Sequence, residues 1–387
     1  MAISNREKKA VGVYVHIPFC RKKCYYCDFY SLPDIEASLI DEYCQAVAAE
    51  IKMAAGAMDD LFVSTIFLGG GTPSLLSAGQ VDTILQQIKA SFTVSSDVEI
   101  TMEANPATID LPEFEQYLTA GVNRISLGVQ SFHDEELQIL GRVHKAKDIF
   151  DAVEIFHKYG FKNFNLDLIY AIPGQSNKSW ETNLHKAIEM EPAHISAYLL
   201  QLDPETVMGK RAAAKLLVLA DEDTEAEMYD RTVEILTEAN FRQYEISNFS
   251  VPGYECRHNL SYWRSINYLG FGAGAVSFVN TRRLINVPNV LQYINRIKSG
   301  KQPLIKELEN MSPRERLADA MVLGLRLVEG INIEEINKRF DADILEEYNQ
   351  AIQENIKKGL LILKNGQLSL TRKGYFISNQ VLCHFIA

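Results

Sequence analysis

No stretch of this 387-residue chain carries the roughly 18 uninterrupted apolar residues that a membrane-spanning helix needs. The first apolar run, VGVYVHIPF at 11–19, is broken by His16 and Pro18 and followed by Arg21, Lys22 and Lys23, where a signal peptide would carry small residues at a cleavage site. Neither a transmembrane nor an exported protein is expected, and a cytoplasmic location follows. Positive charge is also short. The 39 Lys and Arg against 50 Asp and Glu give a formal net charge of -11 and a pI near 5.3. A phosphate backbone or an anionic bilayer rewards a basic face, so the composition fits a small-molecule partner better than nucleic acid. Cysteine is sparse: there are six, and three of them, Cys20, Cys24 and Cys27, fall within eight positions. Where thiols stay reduced, such a cluster reads as metal ligands or redox groups rather than disulfides.

What is present is ordinary globular material, 47% hydrophobic and 23% charged, long enough for two or more domains. Short apolar or β-branched runs recur at 12–17 (GVYVHI), 64–70 (STIFLGG), 97–103 (DVEITME), 124–130 (RISLGVQ), 164–170 (FNLDLIY) and 194–200 (HISAYLL). Helical stretches at 34–57, 77–90, 111–120 and 148–159 lie between them, the last two ending at Gly121 and Gly160. Strands alternating with helices predict βα units on a parallel sheet. Six units are too few for a closed eight-fold barrel, so the fold class is α/β, an open (β/α)6 partial TIM-type barrel.

A helix is predicted over 221–240 and one strand over 241–249 (FRQYEISNF). The texture then changes. NYLGFGAGAVSF at 267–278 is glycine-spaced and 298–303 reads as a linker. Gly270, Gly272 and Gly274 fall short of the dinucleotide fingerprint GxGxxG and suggest close backbone packing near the barrel mouth. From Ser312 onward three helices and two strands about an Asn365-Gly366 turn predict a winged-helix-like domain. The chain divides into a barrel with accessory strands over 1–300 and this C-terminal domain over 301–387. Residues 310–387 hold ten basic and ten acidic side chains, too balanced for DNA, so the domain is expected to serve as a lid or a protein-docking surface. The Lys-rich N-terminus reads as disordered.

The spacing CxxxCxxC puts three thiols on one tight loop. A structural zinc site takes four ligands. His16, in a predicted strand before Pro18, is a poor fourth, and Cys44 and Cys383 stand alone, as does Cys256. A [4Fe-4S] cluster usually takes four Cys, so three leave one iron open for a ligand to chelate. Ligand-binding barrels work at the carboxyl ends of their strands, and polar or glycine residues recur there. Gly70 and Gly71, with Thr72, close the second strand, Glu103 the third and Gln130 the fourth; Arg142 follows, and Asp167 interrupts the fifth. Taken singly, the glycines could form a mere turn, Glu103 a helix cap and Asp167 a satisfied core carboxylate. Their shared position favours ligand binding.

CxxxCxxC with an aromatic residue, Tyr26, before the third cysteine resembles the radical S-adenosylmethionine (SAM) superfamily. YVHIPFC, GGGTPS, LGVQSF, NLDLIYAIPGQ and the C-terminal domain extend the resemblance, over essentially the whole chain, to the coproporphyrinogen III dehydrogenase-like branch. It implies a [4Fe-4S] cluster on Cys20, Cys24 and Cys27, with SAM on the open iron, an electron donor, and Tyr14, Tyr26, Gly70, Gly71, Thr72, Glu103, Gln130, Arg142 and Asp167 facing the SAM. One electron from the cluster can then cleave the sulfonium. The oxygen-independent coproporphyrinogen III oxidases of this branch carry another cysteine two residues after the third ligand, where this chain has Phe29, and a longer N-terminal arm than the 19 residues preceding Cys20. In both respects the chain is similar to the HemW-type heme chaperones, which bind heme and hand it to acceptor hemoproteins. CRHNLSYW at 256–263 resembles their HNxxYW signature. By that resemblance His258 contacts heme; Tyr262 and Trp263 offer flat apolar area to a porphyrin, and Cys256 is a second candidate thiolate. The alternative for this segment is a capped turn with Trp263 covering the barrel bottom or the domain junction. Oxidation of coproporphyrinogen is the alternative function and a zinc-stabilised regulator the third. Peripheral membrane contact during heme delivery, and monomer or homodimer, are both open.

Overall fold

The computed structural model describes residues 9–55, 61–279, 281–308 and 311–386; the expectation for the N-terminus lies outside them for residues 1–8. Six strands alternate with helices: β1 (Lys9–Ile17), β2 (Leu61–Gly70), β3 (Thr93–Ala104), β4 (Arg124–Gln130), β5 (Phe164–Tyr170) and β6 (His194–Leu199). All six pair in parallel with their sequence neighbours. This is the open α/β barrel the periodicity predicts, built for a physical reason visible in β1. Its odd positions, Val11, Val13, Val15 and Ile17, are fully buried against the outer helices, while Tyr14 and His16 point to the other face. A strand covered on both faces reads as a near-continuous apolar run. The outer layer follows the same rule. The helix Ala78–Ser91 opens on a Ser77–Gln80 capping box and buries Val81, Ile84, Leu85 and Ile88.

The glycine-spaced segment supplies a seventh parallel strand, β9 (Tyr268–Phe271), which pairs with β1 from Gly12↔Tyr268 to Val15↔Phe271. It precedes β10 (Val276–Val279), β11 (Arg282–Asn286) and β12 (Leu304–Leu308). Gly272 has φ 101°, and a Cβ there would lie 2.7 Å from the His16 carbonyl. Its N–H donates to buried Glu50, which also accepts from Asn286 and Tyr293. The spacing of these glycines thus serves close backbone packing beside the cysteine loop.

Two expectations are corrected. Residues 241–249 form a hairpin, β7 (Arg242–Glu245) and β8 (Asn248–Ser250), not one strand. The Glu245 carboxylate accepts from the Ser247 N–H and the Asn248 side chain, closing a turn that no Gly or Pro announces. The division at residue 300 also cuts the main sheet, because β12 pairs antiparallel with β11. The sheet order is β12-β11-β10-β9-β1-β2-β3-β4-β5-β6-β8-β7, with two separate edges.

Beyond it, helices Pro313–Gly324, Ile333–Phe340 and Asn349–Lys357 pack with a three-stranded sheet of Ile331–Asn332, Leu361–Lys364 and Gln367–Leu370. Asn365 and Gly366 both have positive φ between the paired Lys364 and Gln367, the two-residue hairpin turn their sequence calls for. This domain packs at the N-terminal end of the barrel strands, away from the cysteine loop. Val328 N–H donates to the Tyr244 carbonyl, and Arg339 donates to the carbonyls of Arg264 and Ser265.

Candidate functional site

A cavity of about 650 Å³ runs through the barrel, and Cys20, Cys24 and Cys27 line its mouth. The loop that carries them is pinned on both sides: Tyr25 N–H donates to the Leu140 carbonyl at 2.9 Å and Met208 N–H to the Tyr25 carbonyl at 2.8 Å. All three thiols are free and partly exposed. Three cysteines that line one cavity suit a cluster of several irons, each taking one thiolate. The residues present therefore fit a [4Fe-4S] cluster. His16 is not a fourth ligand. Its Nε2–H donates to the Tyr30 carbonyl at 3.1 Å, which leaves Nδ1 to accept from the Tyr14 hydroxyl at 2.9 Å.

The glycine run lies flush against this loop. Gly71 N–H donates to the Ile17 carbonyl and Thr72 N–H to the Phe19 carbonyl, both at 2.8 Å, while the Thr72 hydroxyl reaches Cys20 Sγ at 3.6 Å. A Cβ on Gly71 would sit 2.6 Å from the Phe19 carbonyl oxygen, so no other residue permits this approach. Gly70, at φ 114°, turns its N–H to Glu103 Oε2 at 2.9 Å. Burial pushes the Glu103 carboxyl up to about 7, with the Gly70 bond opposing and Asp167 adding.

Arg142 spreads its guanidinium across the mouth. It donates to Cys24 Sγ at 3.5 Å, the Gly128 carbonyl at 2.7 Å and His144 Nδ1 at 3.3 Å. Gln130 closes β4 in the left-handed region at φ 66°. Asp167 accepts from Ser126 at 2.9 Å and from Asn165 at 2.8 Å, and burial raises its carboxyl. Tyr14, Tyr26, Gly70, Gly71, Thr72, Glu103, Gln130, Arg142 and Asp167 all line the one cavity with the three cysteines; residues up to 153 positions apart in sequence meet at one place.

The opposite end of the cavity is plugged by the helix Arg257–Trp263. The Glu99 carboxylate of β3 caps it, accepting from the N–H groups of Arg257 and His258, each at 3.0 Å. His258 is buried on the floor, with Nδ1 2.8 Å from Thr65 Oγ1 and Nε2 2.9 Å from the Tyr262 hydroxyl. Its ring stacks on Phe67 at 5.1 Å between centroids. Burial, reinforced by the charge of Arg124, holds its pKa down to about 3, so the imidazole is neutral. His258 and Tyr262 line the cavity. Trp263 does not: its ring lies under Arg326 of the C-terminal domain at 4.7 Å. Nor is Cys256 a thiolate. It is fully buried, its Sγ–H donates to Glu99 at 3.7 Å, and burial pushes it up to about 12.

The sequence matches the Radical SAM superfamily over residues 14–187 and the HemN C-terminal domain over residues 311–377. The heme chaperone HemW of Bacillus subtilis is 34% identical over 376 residues, covering 97% of this chain and 99% of that protein. The chain belongs to the HemW family. HemW of Escherichia coli is 42% identical over 265 residues, covering 68% of this chain and 69% of its own; HemW of Lactococcus lactis is 35% identical with 98% of each covered. Among solved structures, the coproporphyrinogen III oxidase HemN from Escherichia coli, a radical SAM enzyme, superposes with a TM-score of 0.85 at 22% identity, covering 99% of this chain and 91% of that one. At that identity the likeness is one of fold. Membership in HemW, with its radical SAM region, implies a [4Fe-4S] cluster and SAM.

Sequence reading of this HemW chain missed Arg124, Ser126, Asn165 and Ser196, all of which line the cavity. A signal for them existed. Stepping back by two from Gln130 or Asp167 along a strand stays on the same face, and that step reaches Ser126 and Arg124, or Asn165.

One consequence of the buried carboxyl can be measured without any cofactor. The folded-state pKa of Glu103 lies near 7, above the ordinary value near 4.3. Between those values the folded chain keeps a proton that the unfolded chain loses, so stability falls as pH rises, and it levels off above 7. Glu103→Gln removes this contribution. Relative to wild type, the variant is expected to gain about 2 kcal/mol in unfolding free energy on going from pH 5.5 to pH 8, at 1.36 kcal/mol per pKa unit. Urea melts at the two pH values check this, and a difference that stays constant with pH contradicts it.

Proposed function

We propose that this chain is a heme chaperone: a [4Fe-4S] cluster on Cys20, Cys24 and Cys27, SAM at the cavity mouth, and heme held in the barrel through His258 for transfer to acceptor hemoproteins. What carries the reading is full-length kinship with proteins named heme chaperone HemW, joined to a neutral histidine lining the same cavity as the three thiols. The residues divide the work. Gly70, Gly71 and Thr72 offer backbone and hydroxyl groups beside the cluster loop; Glu103 accepts from ammonium or amine N–H groups, and Arg142 matches a carboxylate. When bound, a cluster supplies one electron. The chain contributes position and exclusion of water.

A neutral imidazole is a good axial ligand for heme iron. His258 Nε2 is engaged by the Tyr262 hydroxyl, so ligation requires that hydroxyl to swing aside. Phe29, 63% exposed at the mouth, stands where the oxidases of the branch resembled by this sequence carry a further cysteine. The test is transfer. Heme-loaded protein mixed with apomyoglobin is expected to move its heme to the acceptor faster than a buffer solution of free heme does, followed by the Soret band. Heme that stays on the donor through the incubation contradicts the chaperone reading.

A further inference from the structure

Strand β4 sends Arg124, Ser126, Gly128 and Gln130 to the same side, and all four line the cavity. At ~3.3 Å per residue this row runs roughly 20 Å from floor to mouth. Two arginines therefore reach the one cavity from opposite ends. At the mouth, Arg142 has each of its three nitrogens engaged, on Cys24, Gly128 and His144. Arg124, toward the floor, is 2% exposed, and its buried Nε has no hydrogen-bond partner. No hydrogen bond or ion pair joins its guanidinium to another of the described residues.

That is an unusual state for a group with five N–H donors and a permanent charge, since buried charges are otherwise found paired. The carboxylates that face it are already committed. Glu99 is taken by the N–H groups of Arg257 and His258 and by the Cys256 thiol. Asp167 is taken by Ser126 and Asn165. Both act on Arg124 through their charge, and neither gives its fork an acceptor to bond. A ligand that enters the cavity can supply that acceptor.

We propose that Arg124 is the anchor for a ligand carboxylate at the inner end of the barrel, and that on the heme reading, on which this rests, the carboxylate is a porphyrin propionate. A planar carboxylate matches the guanidinium fork with two parallel hydrogen bonds. His258 and Tyr262 line the same inner region, so a porphyrin whose iron approaches His258 has its propionates within the barrel rather than in solvent. The other carboxylate available is that of SAM, which the second N–H groups of the two Arg142 Nη atoms would meet at the mouth.

The full-length protein, reconstituted anaerobically with iron and sulfide, is titrated with heme and with heme dimethyl ester, which lacks free carboxylates. Heme is expected to bind the unaltered protein about tenfold to a hundredfold more tightly than the ester, the range for hydrogen bonds to a charged group. Arg124→Gln should erase that difference, lowering heme affinity to that of the ester and leaving iron content and SAM affinity unchanged; Arg124→Lys should restore part of it. Equal affinity for heme and ester in unaltered protein overturns the anchor while leaving the heme reading intact, and needs no variant to fold. Loss of SAM affinity in Arg124→Gln with heme affinity kept reassigns the carboxylate to SAM and overturns the propionate. Binding of neither porphyrin overturns the heme reading and this inference together.

Discussion

Cys20→Ala, Cys24→Ala and Cys27→Ala, each reconstituted anaerobically with iron and sulfide, are expected to return to the iron content and visible absorption of unreconstituted protein. The expectation follows from how few ligands there are. Three thiols already leave one iron of a four-iron cluster without a protein ligand, and the neighbouring side chains with donor atoms are occupied elsewhere: both nitrogens of His16 are bonded, and Cys44 is buried in the helix Ala37–Ala54. No substitute stands ready. Burial raises the Cys20 thiol and pushes Cys27 up to about 11, so coordination has to displace these protons, as metal binding generally does. The loop itself should survive each change, because backbone bonds to Leu140 and Met208 hold it. Metal-free variants are therefore expected to melt within about 1 kcal/mol of wild type, the range for partly exposed sites without special roles. Full iron content in any one of the three would mean that the ligand set is wrong.

His258→Ala is expected to weaken heme binding by roughly tenfold to a hundredfold or more, since even groups that only support a metal ligand are worth that much in metal affinity. The iron–sulfur absorption should be untouched, because His258 lies toward the opposite end of the cavity from the cysteines. Tyr262→Phe separates ligation from packing. The ring keeps its apolar area while Nε2 loses its 2.9 Å partner, so heme affinity should hold or rise. If the two residues merely packed the floor, His258→Ala would lower thermal stability without changing heme affinity. Unchanged affinity removes His258 from the account.

The outline of this site was legible because strand periodicity puts every barrel strand's last residues at one end, and the polar or glycine residues there are conspicuous against apolar runs. The deeper rows were not, since Ser126, Asn165 and Arg124 read as ordinary strand residues until the sheet curls around a cavity. Trp263 was misplaced for a geometric reason. Successive helical residues are ~100° apart, so Tyr262, four residues beyond His258, shares its face, while Trp263 turns toward Arg326 and the C-terminal domain. The hairpin of β7 and β8 escaped because its turn rests on a Glu245 side chain. The C-terminal strands declared themselves through Asn365 and Gly366.

The most direct test of the central claim uses one anaerobically reconstituted sample, assayed in parallel for heme binding and for conversion of coproporphyrinogen III in the presence of SAM and a reductant. Tight stoichiometric heme binding with no porphyrin product is the predicted result. Turnover of the porphyrinogen would contradict it, and would place this barrel among the enzymes that make heme.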